Sequence, residues 1–392
     1  MEIGIKSRDV VRAEEEFLLK FPDSDWFLKI IKVVKEYQEK GIQVTDVLIK
    51  ENSIPFFGIL KNFFPLLLPI KPTGDQIRNF VVNFLKAESL DVSVIKKRSS
   101  IDFSLLFYGK GNLRINYSQD ANGVALNIRI LDFIIPEIDT VRYPERYKKF
   151  LKSLIFTSKL KLDRDKEVEV GAIKEGGLIL HAGPTGSGKT TCVASEVNFF
   201  LQNTTGLIIT YENPIEYRFL DEARIRQVEL DVHLNRNDVY RHFLRNSPMV
   251  GMIGEIKTKE EFIQALDLAS RGHLVITTIH ANNVLEAIYM FLSLVGKEYT
   301  SVFLSSVRAI MCHRLFLNKK SKLVPLYEYL IPNHIIKKTI EDWKFKDLEN
   351  YLYGDKQAPK GSFYSFPDCI EERASEGLLS ISEKERLKGG LY

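Results

Sequence analysis

The chain has 392 residues, 45% hydrophobic and 27% charged, with a formal net charge of +4. That length exceeds one ordinary core and predicts two domains with appendages. The balance is that of a globular protein, and so small and dispersed a positive charge gives no ground for expecting nucleic acid as a partner. Cys192, Cys312 and Cys369 lack the paired spacing of a zinc site and suit a reducing compartment. The opening Met1-Glu-Ile-Gly-Ile-Lys6 lacks the apolar core of a secretory signal. The most apolar stretch, 54–70, is broken by Lys61 and by Pro55, Pro65 and Pro69, so it reads as core strand and turn, not as a spanning helix. A cytoplasmic protein, able to dock on a membrane complex, is expected.

In chain order, 25–40 predicts a helix with Phe27, Ile30, Ile31, Val34 and Tyr37 as its apolar stripe and Gly41 as its stop. Short strands are expected at 44–49 and 56–60. Thr73 and Gln76 read as a capping box for a helix at 74–86, with Ile77, Phe80, Val81, Phe84 and Leu85 inward. Strands follow at 101–107, 113–117 and 124–130, parted by the turn signals Gly109-Lys110-Gly111 and Asp120-Ala-Asn-Gly123. These elements predict a smaller α+β domain at 41–135, behind a helical extension at 1–40 and before a linker at 136–149.

Beyond 150 the pattern changes. Apolar runs at 177–182, 206–211, 249–254 and 273–279 read as buried parallel strands, with helices between them that include 190–201 and 259–271. That alternation predicts an α/β fold with a doubly wound, RecA-like core over 150–335, followed by a charged helical region at 336–392.

The first of these strands leads into Gly183-Pro184-Thr185-Gly186-Ser187-Gly188-Lys189-Thr190, a complete phosphate-binding loop, with Thr191 opening the helix behind it. The glycines let backbone N–H groups turn inward around a phosphate, and the helix start offers its positive dipole end. Lys189 would reach the β- and γ-phosphates of ATP, and the Thr190 hydroxyl would ligate Mg²⁺. The later strands end in candidates for the same site. Thr210-Tyr-Glu-Asn-Pro-Ile-Glu216 supplies Glu212 and Glu216, Ile253-Gly-Glu255 an acid to hold Mg²⁺ directly or through water, and 272–280 a histidine at each end, His273 and His280.

Together these motifs resemble the secretion-ATPase superfamily of type II and type IV secretion and type IV pili, from about residue 40 to 380. In that family a phosphate loop, an Asp box, a Walker B glutamate and a His box follow in this order. Asn112-Leu-Arg-Ile-Asn116 and Ala125-Leu-Asn-Ile-Arg129 are similar to its two arginine-bearing strands, in a PAS-like N-terminal domain. The resemblance implies Glu216 as general base, Glu255 on the magnesium side, His273 and His280 as sensors of nucleotide state, and Arg114 and Arg129 on the γ-phosphate. It also implies a homo-hexamer, in which the 41–135 domain of one chain packs on the 150–335 domain of the next. Such a ring would lie at the cytoplasmic face of the inner membrane on a platform protein, with no direct nucleic acid. Asn213 replaces the usual aspartate of the Asp box, and Lys257-Thr258 an Arg-Asp pair. These departures predict slower hydrolysis but not its loss. The single Cys312 departs from the four-cysteine module of extension and type II members. The retraction-type, PilT-like branch is therefore expected, with the transfer ATPases of conjugation and type IVB secretion as the alternative. A weakly hydrolysing scaffold and a RecA-like nucleic-acid motor are the readings from other classes.

Overall fold

A computed structural model describes residues 17–392 except 41, 43, 60–61, 98–99, 108–110, 132–134, 164–165, 220–222, 321, 355–360 and 391–392. The Gly41 stop and the Gly109-Lys110 turn fall outside the described residues, as does most of the first half of the 1–40 extension. The chain divides into two compact units, 1–134 and 135–392.

In the first unit, α1 (Asp25–Glu39) precedes β1 (Asp46–Lys50), β2 (Phe56–Ile59) and β3 (Asn62–Pro65). Then come α2 (Gly74–Ala87), β4 (Ser100–Phe107), β5 (Gly111–Asp120) and β6 (Gly123–Leu131). The six strands form an antiparallel sheet in the order β3-β2-β1-β6-β5-β4. Period-two alternation sends Leu113, Ile115 and Tyr117 of β5 and Leu126 and Ile128 of β6 to one face. The helices bring Ile30, Ile31 and Val34, and Ile77 and Val81, to the same core, where Phe27 and Phe80 stack at 4.4 Å. The expected capping box at Thr73 and Gln76 is present and starts α2. Because α1 shares this core, the helix expected as a separate extension is part of the unit.

In the second unit, α3 (Glu145–Ser153) leads to a two-stranded hairpin, β7 (Ile155–Asp163) and β8 (Lys166–Ile173), which the sequence reading did not anticipate. Next come β9 (Gly177–Ala182), α4 (Lys189–Asn203), β10 (Ile208–Glu212), β11 (Ile225–Glu229), β12 (Val250–Ile253), α5 (Lys259–Ser270) and β13 (Leu274–Ile279). β14 (Val307–Leu317), β15 (Leu323–Leu330) and β16 (Phe363–Tyr364) complete an eight-stranded sheet, ordered β11-β10-β12-β13-β9-β14-β15-β16. From β11 to β14 neighbours run parallel, and the last two pairings are antiparallel. Every residue of β9, β10, β12 and β13 is buried, as strands in the middle of a parallel sheet require. The expected linker and C-terminal region join this core, through Val141, Tyr143 and Tyr147 on one side and Ile336, Leu348, Phe366 and Ile370 on the other.

Candidate functional site

Parallel strands place all their carboxyl ends on one edge, so a site can be assembled there from segments far apart in sequence. β9 ends at Ala182 and passes into the phosphate loop, and α4 begins at Lys189. Gly186 and Gly188 have φ of +79° and +88°, left-handed conformations that favour glycine. A Cβ at Gly183 would stand 2.6 Å from Ser187 Oγ and 2.7 Å from the His313 carbonyl, so only glycine fits the entry to the loop. Ser187 is buried beneath the turn, while Pro184 and Thr185 are exposed on it. Thr190 and Thr191 are half-buried at the helix start, where Thr191 Oγ1 lies 2.9 Å from the Tyr217 hydroxyl.

Lys189 is folded against its own loop, its Nζ donating to the carbonyls of Gly183 at 2.5 Å and Pro184 at 3.0 Å. Burial draws its ammonium below the usual lysine range, and the negative charges of Glu255 and Glu216 oppose that shift. Both acids therefore act on the lysine that would meet the γ-phosphate. Glu255 follows β12, with Lys257 Nζ 3.0 Å from Oε2 and His280 Nε2 2.8 Å from Oε1. The oxygen donors, Thr190 Oγ1 and the Glu255 carboxylate, suit a hard cation such as Mg²⁺. With both Glu255 oxygens already engaged, a bridging water fits better than direct ligation.

The carboxylate that ends β10 and the one on the loop after it differ. Glu212 is buried and accepts from Thr210 Oγ1 at 2.6 Å and Gln227 Nε2 at 3.3 Å. Desolvation pushes its carboxyl up to about 7, and the charge of Glu216 pushes the same way. Glu216 is half-buried on the following loop. Of the pair, Glu216 has the freer access to water.

The histidines part company. His280 stands at the carboxyl edge on Glu255, whereas His273 precedes β13 at the opposite edge, its Nδ1 2.7 Å from the Pro248 carbonyl and its ring edge-on to Phe243. A six-residue strand spans about 20 Å, so His273 stands far from the edge where the loop opens, and the expectation that both histidines sense the nucleotide does not fit its position. Arg114 and Arg129 are direct cross-strand partners on β5 and β6, and Arg129 Nε donates to Asp46 Oδ1 at 3.1 Å. They lie in the first unit, whereas the loop and its acids lie in the second.

Both sequence departures have local structural roles. Asn213 Nδ2 donates to Asp231 Oδ2 at 2.8 Å. Thr258 is the N-cap of α5, and the Glu261 side chain accepts from the backbone N–H of Lys257 and Thr258. Sequence reasoning missed Tyr217, Gln227 and Arg236. Gln227 Nε2 holds the Tyr217 carbonyl at 2.6 Å as well as Glu212, and Arg236 Nη1 reaches the Glu255 carbonyl at 3.4 Å and Glu261 Oε1 at 3.3 Å. No motif marks them, since each acts through a partner outside its own segment.

A family model described as type II/IV secretion system protein matches residues 126–338, more than half of the chain. The chain belongs to this family. Among characterised relatives it is 30% identical over 261 residues to the type IV pilus ATPase PilU of Pseudomonas aeruginosa, covering 66% of this chain and 61% of PilU. Its fold is similar to that of the pilus retraction motor PilT with bound ADP, with a TM-score of 0.71 and 24% identity over 91% of this chain and 96% of that one. It is equally similar to the Legionella pneumophila ATPase DotB, with a TM-score of 0.73 and 18% identity over 93% and 96% of the two chains. The RecA-like core with a smaller N-terminal domain is thus the fold of these proteins. With the complete loop and both acids on one sheet edge, the chain is an ATPase. Among the described residues no helix is long and apolar enough to cross a membrane.

Proposed function

We propose that the protein is a hexameric motor of a type IV pilus or type II/IV secretion machine, of the retraction type, that couples ATP hydrolysis to domain movement. The observation that carries this reading is the charge arrangement at the loop, where Lys189 feels both Glu216 and Glu255 and His280 and Lys257 hold Glu255. Glu216 orients the attacking water, Lys189 takes up charge on the phosphates, and Arg114 and Arg129 add to it at the transition state, while Thr190 and Glu255 would hold a Mg²⁺ that would supply further charge neutralisation. The likeness to PilU supports the pilus setting. The motor works at the cytoplasmic face of the inner membrane against a platform protein. The transfer ATPases of conjugation and type IVB secretion are the second reading, because the sequence of 296–340 does not separate the two branches.

Turnover of purified protein with and without single-stranded DNA, run alongside light scattering with ATP, tests the reading. Steady hydrolysis by a six-chain ring, indifferent to DNA, is expected. Binding without hydrolysis selects a scaffold, and stimulation by DNA selects a nucleic-acid motor.

A further inference from the structure

Behind the phosphate loop four polar side chains from four elements meet in the core. His181 lies on β9, two residues before Gly183, and Glu196 lies on α4, about two turns beyond Lys189. His313 comes from β14 and Tyr147 from α3. His181 Nδ1 is 2.7 Å from His313 Nε2, His181 Nε2 is 3.2 Å from Glu196 Oε2, and the Tyr147 hydroxyl donates to Glu196 Oε1 at 2.9 Å. None of the four is exposed to solvent. Burial and the neighbouring His181 and Lys189 hold His313 well below the ordinary imidazole range, so it is neutral. With His181 Nε2–H donating to Glu196, the donor order runs from His313 Nε2–H to His181 Nδ1 and on to the Glu196 carboxyl.

Such a cluster is a poor device for stability alone. Apolar residues of the same volume usually serve a core as well or better, because ions and imidazoles are costly to desolvate. What such a hydrogen-bonded chain supplies, even with His313 Nδ1 lacking a partner among the described residues, is fixed geometry. Here it ties the strand entering the loop to the helix leaving it, at Glu196, and both to the neighbouring strand. In the β9–β14 register Cys312 stands opposite Ala182, so His313 falls beside the loop's first residue. Its carbonyl lies 2.7 Å from the place a Cβ on Gly183 would take, which leaves no slack between β14 and the loop. A shift of His313 is therefore a shift of the backbone that must cradle the phosphates.

We propose that His181, Glu196, His313 and Tyr147 are positioning residues for the phosphate loop, a buried clamp that sets the spacing of its N–H groups. The proposal rests on ATP binding at the loop, which Lys189→Ala tests separately. Its own test is a pair of near-isosteric changes in the full chain, Tyr147→Phe with Glu196→Gln, read by steady-state kinetics, ADP binding and thermal melting. The double variant keeps the core's volume and loses both the hydroxyl donor and one of the two acceptor oxygens. Its KM for ATP and Kd for ADP are expected to rise about 10-fold, with kcat within about twofold and a melting temperature within a few degrees of the parent. Glu196→Gln alone, which still accepts from Tyr147, is expected to recover most of that loss. KM and ADP affinity within twofold of the parent in the double variant overturn the proposal, as does a lowered melting temperature or kcat at unchanged KM. If the double variant does not fold, Tyr147→Phe alone decides: a rise of about threefold in KM sustains the clamp, and an unchanged KM refutes it.

Discussion

His280 Nε2 lies 2.8 Å from Glu255 Oε1, joining the end of β13 to the end of β12 across the edge where the phosphate loop opens. Lys257 Nζ holds the other oxygen at 3.0 Å. A carboxylate gripped on both sides keeps its direction when a cation or its water shell arrives, so the charge is preorganised. Glu255→Gln removes that charge at constant shape and is expected to lower kcat at least about 100-fold, with ATP still bound. His280→Ala frees one oxygen and is expected to cost about 10-fold in kcat. Single-turnover kinetics beside ATP binding checks both, and a His280→Ala enzyme with the parent's kcat would show that the contact is idle.

Glu212 gives the fold a pH dependence with a definite sign. Its carboxyl titrates near 7 in the fold and near its ordinary value of 4.5 when solvated. Between those values the folded chain holds a proton that the unfolded chain has released, so stability falls as pH rises from about 4.5 to about 7 and levels off above. The full loss is roughly 3 kcal/mol for a shift of this size. Glu212→Gln, neutral throughout, is expected to flatten that slope, matching the parent near pH 5 and melting higher than it at pH 8. Melting curves at several pH values decide the matter; parallel slopes in the two proteins would mean that another group sets the dependence.

Glu212, the last residue of β10, and Glu216, on the loop after it, differ in burial and are expected to differ in function. Glu216→Gln is expected to abolish multiple turnover and leave ATP affinity within a fewfold, because only water activation needs the base. Glu212→Gln is expected to keep most activity. The reverse outcome in paired kinetic assays would mean that the buried carboxylate is the base.

What the sequence made legible was whatever repeats locally. The loop, its strand and its helix follow from eight consecutive residues and their flanks, and β9 and α4 appear where the apolar run and the helical spacing place them. The stripe from Phe27 to Val34 and the capping box at Thr73 and Gln76 were readable for the same reason. What escaped notice depends on pairing across distance. His181 and His313 are 132 residues apart and meet only because β9 and β14 are neighbours, so an ionisable residue inside an apolar run was the sole local sign. His273 misled because a motif shows two histidines in line, while only the carboxyl end of a parallel strand faces the loop. The β7–β8 hairpin was missed because Lys159 and Lys161 pair with Glu169 and Glu167 on one face, which reads as a charged, solvated segment.

Lys189 is the residue on which the whole site turns. It is half-buried and held by two loop carbonyls, so its removal costs few packing contacts. Lys189→Ala is expected to melt within a few degrees of the parent and to lose ATP binding by at least about 100-fold. Fluorescent nucleotide titration alongside circular dichroism measures both quantities. Unaltered binding in a folded variant would move the nucleotide elsewhere.

Arg114 and Arg129 face each other across β5 and β6, and like charges directly opposed on a sheet are unfavourable. Asp46 offsets Arg129 at 3.1 Å. Two arginines at paired positions of neighbouring strands are well suited to an anion with several charged oxygens. Charge spreads over the γ-oxygens as phosphoryl transfer proceeds, so arginines that serve it stabilise the transition state more than bound ATP. Replacing both by alanine is therefore expected to lower kcat about 100-fold or more while ATP affinity changes only a fewfold. Turnover, nucleotide binding and light scattering on the same sample separate the outcomes. Equal loss of affinity and turnover would assign the arginines to ground-state binding, and full activity in the double variant would exclude them from the reaction even in an intact ring.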